Sequence, residues 1–216
     1  MSRVLIGGDS FATDEEGSWS GEFCRSRGKS TRTHCVAQGG SSIDYGLYRV
    51  EQAMIQNTYS HVIVSITHPL RFWHRSIVDR PGLACRYAEP RMRGFLKEFA
   101  GLPDFEPRYT RSAIRNYHSL SSARTRVAVM LPFVLETQAH EIPSWRRSGL
   151  IPRKDSRFWI VPVDFDRIQK EHNSNWEPNH MPAWCRENLA KVFQNWVENN
   201  SQDVSSFGQY THKYKW

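Results

Sequence analysis

Five short apolar runs punctuate the chain: Val4 to Gly7, His34 to Ala37, His61 to Ile66, Arg126 to Leu131 and Phe158 to Val163. Each is strand-sized, and each is rich in β-branched residues or flanked by turn residues. Runs that are apolar on both faces, separated by segments long enough for helical crossovers, predict a mostly parallel sheet covered on two sides. The fold class expected is therefore α/β, in three layers. Between the first two runs, Trp19 and Phe23 sit four apart behind Asp14, Glu15 and Glu16. Acidic residues favour a helix N-terminus, so this spacing predicts a helix, with Gly28 placed to end it. After the second run Ile43, Leu47, Val50 and Met54 form one apolar face of a helix that Ser41 or Ser42 is placed to cap. Leu189, Val192, Phe193 and Trp196 predict a last helix, with Pro182 in its first turn, where a missing N–H costs nothing.

The stretch from Pro81 to Ser122 reads as helices and loops, because Pro90, Pro103 and Pro107 break any long helix there. The polar stretch from Asn199 onward, with scattered aromatics, is expected to lack regular structure. No repeat period and no Ser/Gly linker divides the chain. The organisation expected is one domain over 1–199, with a basic helix and loop insertion around 71–126 and a polar tail over 200–216.

Composition adds limits. A chain of 216 residues, 39% of them hydrophobic, is long enough to bury one core. No apolar run approaches the roughly 18 residues that cross a bilayer. Met1 to Ser10 has neither the apolar stretch nor the cleavage site of a secretory signal, so no signal peptide is expected. Cys24, Cys35, Cys85 and Cys185 contain no Cys-x-x-Cys pair and read as free thiols of a reducing compartment. The net charge of +7 is concentrated: Arg71 to Arg126 holds twelve basic and five acidic residues, and the rest of the chain balances. Such a segment suits nucleic acid, an anionic polymer or an acidic partner, but charge supplies steering rather than identity.

The chemistry lies at strand ends. The first run closes in Gly8-Asp9-Ser10, which puts a serine hydroxyl where ligands bind in open α/β sheets. The same residues also make an ordinary strand-to-helix turn. The second run closes in Gln38-Gly39-Gly40-Ser41-Ser42, whose backbone N–H groups can face an oxyanion developing beside Ser10. His180, three residues after Glu177 and just before the last helix, arrives on the same edge. There one ring nitrogen can take the serine proton while Glu177 orients the other. His68, His74 and His180 lack metal-ligand spacing, and no dinucleotide or NTP loop is present, so neither metal nor cofactor is expected.

Together, Gly-Asp-Ser after strand one, Gly-Ser-Ser after strand two and Glu-x-x-His before the terminal helix resemble the SGNH (GDSL-type) serine hydrolase family over almost the whole chain. The resemblance implies a flavodoxin-like domain with a five-stranded sheet. It implies Ser10 as nucleophile and oxyanion donor, Gly40 as second donor, His180 as general base, and Glu177 in the place of the family aspartate. Asp164, at the end of strand five, is an alternative acid. The family's Gly-x-Asn-Asp after strand three is here Ile66-Thr67-His68-Pro69, so either Thr67 or His68 supplies a donor in place of the asparagine or that donor is lost. Losing one oxyanion donor costs on the order of 10²–10³ in rate.

The implied activity is cleavage of an ester, on an acetylated sugar or polysaccharide, a lipid or a thioester, through an acyl-enzyme. The competing reading is a weak or inactive binding or structural protein on the same fold. In that reading Arg71, Arg75, Arg91, Arg93, Arg108, Arg111 and Arg115 meet phosphates, and Phe72, Trp73, Tyr87 and Tyr109 stack on bases. Compact proteins of this kind without signals also resemble phage-encoded ones, so a cytoplasmic or virion-associated location is expected. The oligomeric state is left open.

Overall fold

The computed structural model describes residues 2–9, 12–13, 18–26, 31–67, 71–72, 83–84, 98, 102, 104–132, 140–152, 155–172 and 181–212. Strands β1 (Ser2–Gly8), β2 (Thr31–Cys35), β3 (His61–Ser65), β6 (Arg126–Met130) and β7 (Phe158–Ile160) form one sheet in the order β2-β1-β3-β6-β7. Every pairing in it is parallel. This is the doubly wound flavodoxin-like order, which reverses direction next to β1 and leaves a crevice at the carboxyl ends of the strands. The expected α/β class and five-stranded sheet are found.

The strand sequences explain the layering, because alternate residues point to opposite faces. Val4, Ile6, Ile63, Ala128 and Met130 face one core, shared with α1 (Trp19–Ser26) and α6 (Ala183–Asn199). Leu5, Val62, Val64, Val127 and Val129 face the other, under α2 (Ile43–Gln56), α3 (Phe105–Ser119) and α4 (Ile142–Arg147). Ser42, rather than Ser41, caps α2 by accepting the Tyr45 N–H at 3.2 Å. Pro182 stands one residue before α6 as its N-cap. No helix among the described residues is long and apolar enough to cross a membrane. The Cys185 thiol, on the buried face of α6, is pushed up to about 12 by desolvation and stays protonated.

Three expectations are corrected. The second strand begins earlier than the apolar run, at Thr31, because β2 is an edge strand buried on fewer sides; the run continues the ladder through Val36 N–H to Ile6 O at 2.8 Å. Pro107 does not break a helix: it sits in the first turn of the fifteen-residue α3, where its missing N–H has no partner to lose. The basic segment also holds two short strands, β4 (Arg71–Phe72) and β5 (Leu83–Ala84), paired antiparallel.

The polar tail likewise contains regular structure, a 3-10 turn over Ser205–Tyr210. Phe207 and Tyr210 are buried against Trp184 of α6, with ring centroids 6.1 and 5.4 Å away. The Tyr210 hydroxyl bonds Glu171 and His172 of α5 (Phe165–His172), and Thr211 bridges to Val163. Two aromatic side chains spaced by three suffice to dock a turn whose sequence is otherwise polar.

Candidate functional site

The described part of the site is a junction of three loops at the carboxyl edge of β1, β2 and β3. Gly8 ends β1 at φ +124, in the region that favours glycine. A Cβ there would lie 2.3 Å from the Ser65 carbonyl oxygen, so no other residue fits between the neighbouring strands. The Gly8 carbonyl in turn accepts the Gln38 N–H at 3.1 Å and the Ser41 hydroxyl at 3.0 Å. The loop after β2 is thereby fastened to the residue two before Ser10.

Asp9 fastens the third loop. Its side chain is fully buried and accepts the hydroxyls of Ser65 at 3.3 Å and Thr67 at 2.8 Å. Its carbonyl accepts the Ala12 N–H at 2.9 Å. The sequence offered no sign of this role, because Asp in Gly-Asp-Ser reads equally well as a turn residue.

Beyond this junction, α2 and α3 bring two buried phenols close to the same carboxylates. Tyr109 donates its hydroxyl to Asp44, and the Tyr117 hydroxyl lies against Gly46. Burial first, then the nearby carboxylates, push both phenols well above their ordinary range, Tyr117 feeling Asp44, Glu51 and Asp9. Both stay neutral hydrogen-bond donors at any physiological pH.

The expected site residues divide as follows. Ser10, His68, Glu177 and His180 lie outside the described residues. Gly40 is exposed at φ +74 in a turn closed by the Ser41 N–H to the Gln38 carbonyl at 3.2 Å, the arrangement that takes glycine at its third position. Thr67 lies in the third loop as expected, but its hydroxyl proton is given to Asp9. Asp164 acts as a helix cap: one oxygen accepts the Arg167 N–H at 3.0 Å and the other lies 4.0 Å from His212 Nδ1. That leaves His212, which the sequence did not single out, as the histidine beside this carboxylate among the described residues.

Within the basic segment, several residues expected to meet nucleic acid have partners within the chain. Arg111 lies 5.3 Å from the Trp145 ring centroid, Tyr109 stacks on Phe105 at 5.6 Å, and Arg108 pairs with Asp104 at 3.4 Å. Arg115 is exposed. The side chains of Arg71 and Phe72, and residues Trp73, Arg75, Tyr87, Arg91 and Arg93, lie outside the described residues, as does His74.

No family model matches the chain, and no curated protein matches it. Among solved structures, the chain is similar to TesA at 11% identity and TM-score 0.47, covering 90% of this chain and 98% of that one. It is also similar to the psychrotrophic esterase EstA from Pseudoalteromonas sp., in a structure inhibited by monoethylphosphonate, at 10% identity and TM-score 0.49, with 92% and 100% covered. A member of the lipolytic protein G-D-S-L family from Veillonella parvula DSM 2008 gives the same identity, TM-score and coverage.

Proposed function

We propose that the protein is a serine hydrolase that cleaves an ester through an acyl-enzyme, with Ser10 as nucleophile and His180 as general base. The observation that carries the reading is the junction just described: the loop after β2 is bonded to Gly8 and the end of β3 with its loop to Asp9, the two residues before Ser10. Such fastening suits a serine that must be held still against fixed donors, because preorganised donors act without reorganisation during reaction.

In this reading Ser10 Oγ attacks the ester carbonyl while His180 takes its proton. The N–H groups of Ser10 and Gly40 hold the oxyanion, and His180 then returns the proton to the leaving alcohol. Water repeats the sequence to release the acid. Glu177 orients His180; Asp164 is the less favoured acid, because its two oxygens already face the α5 N-terminus and His212. With Thr67 bound to Asp9, the third oxyanion donor falls to His68.

The competing binding role is separated by salt. Turnover of a small neutral aryl ester is expected to saturate with substrate and to stay unchanged when salt rises about tenfold, whereas phosphate contacts lose affinity steeply over that range. An absence of turnover combined with strongly salt-sensitive oligonucleotide binding would overturn the hydrolase reading.

A further inference from the structure

The opposite edge of the sheet, where the strands begin, holds a cavity of about 590 Å³. Its described walls are the start of β1, the carboxyl end of α2, the turn leading into β3 and Arg124 ahead of β6. Two of these lining residues are charged, and both are arginines: Arg3 and Arg124. Neither meets a carboxylate among the described residues. Arg3 Nη2 donates to Asn57 Oδ1 at 3.0 Å, and its guanidinium lies 5.5 Å from the Tyr59 ring centroid. Arg124 is exposed, and a third arginine, Arg32, stands beside Arg3 in the β1–β2 register.

Among the described residues, no carboxylate lines the cavity. The Tyr59 phenol is pushed up by burial and adds no charge; its hydroxyl meets His34 Nδ1 at 2.5 Å. The carboxyl end of α2 contributes roughly half a negative charge, with no basic residue in its last turn to offset it. That cancels half of one guanidinium and leaves about one and a half positive charges on the cavity wall. Thr58, exposed in the same lining, adds a hydroxyl and a backbone N–H as further donors.

From this we infer that the cavity binds a small phosphate-bearing molecule, its phosphate held by Arg3 and Arg124 and its organic part lying against Ile55. Guanidinium forks match phosphate oxygens, and a phosphate monoester carries close to the charge the wall leaves uncompensated. The volume falls within the range of small-molecule clefts. Ile55, 77% exposed at the rim, offers an apolar surface that solvent otherwise covers. The site lies across the sheet from the ester-hydrolase junction and stands independently of it.

The test is an amide-shift NMR titration of the full chain at constant ionic strength, in separate arms with inorganic phosphate, glycerol phosphate and a single-stranded oligonucleotide. The expected result is saturable shifts at Thr58, Tyr59 and Ser60 with the first two ligands. Arg124→Ala, whose side chain is exposed, should keep its melting temperature and weaken both by at least about tenfold. Arg3→Gln should weaken them similarly, with folding checked by the same spectra. Shifts that do not saturate, that map to another surface or that persist unweakened in Arg124→Ala would overturn the inference. So would tighter binding of the oligonucleotide than of glycerol phosphate.

Discussion

Gly8→Ala is expected to destabilise the protein by about 3–5 kcal/mol, adding a backbone held at unfavourable positive φ to overpacking against a neighbouring strand. Neither contribution has an easy escape. The φ of +124 is set by the end of β1, and the atom 2.3 Å from a new Cβ is the Ser65 backbone carbonyl, which cannot swing aside as a flexible side chain would. Moving Gly8 instead would pull on the Gln38 and Ser41 bonds to its carbonyl. Gly40→Ala isolates the first contribution: it also has a positive φ, but nothing lies within 4 Å of its added Cβ. That variant should lose only about 1–2 kcal/mol. Urea unfolding followed by circular dichroism compares the two. Equal losses would mean that the strand contact at Gly8 is not tight.

Ser10→Ala is expected to leave cooperative unfolding intact and to lower kcat for aryl ester hydrolysis by on the order of 10⁶. The size follows from what remains: without a nucleophile no acyl-enzyme forms, and only binding and the oxyanion donors assist attack by water. His180→Ala should fall to a comparable level, because an alkoxide that cannot shed its proton is hardly a nucleophile. The double variant should be no slower than either single one, since the pair acts as a unit. Turnover within about tenfold of the parent in Ser10→Ala would assign the chemistry to another group. Contrast with Gly8→Ala separates chemistry from architecture, because that variant should lose activity together with stability.

The sequence made the central sheet readable because its buried strands are apolar on both faces: β3 and β6 carry almost nothing but Val, Ile, Ala and Met between their first residues and their ends. The edge strand β2 was harder, since Thr31, Arg32 and Thr33 read as loop until pairing with β1 supplies their hydrogen bonds. Helix α3 was hidden by Pro107 and by charged residues on its outward face; its inward face, Phe105, Thr110, Ala113, Ile114 and Tyr117, becomes clear only against α2 and β6. The docked turn at Phe207 and Tyr210 depends on a groove that no local pattern describes.

At the site, the positions of Gly40 and Thr67 at the carboxyl edge followed from the ends of their strands. The assignments that needed partners did not. Asp9 accepts hydroxyls from Ser65 and Thr67, more than fifty residues away, and Asp164 spends itself on the α5 cap, choices that only the folded chain makes.

The measurement that bears most directly on the proposed chemistry is labelling of the folded protein with a fluorophosphonate, followed by peptide mass spectrometry. The predicted result is one adduct, on Ser10, that is lost in Ser10→Ala and slowed strongly in His180→Ala. Folded protein that remains unlabelled, or an adduct on Ser10 that forms equally fast without His180, would contradict the reading of an activated serine.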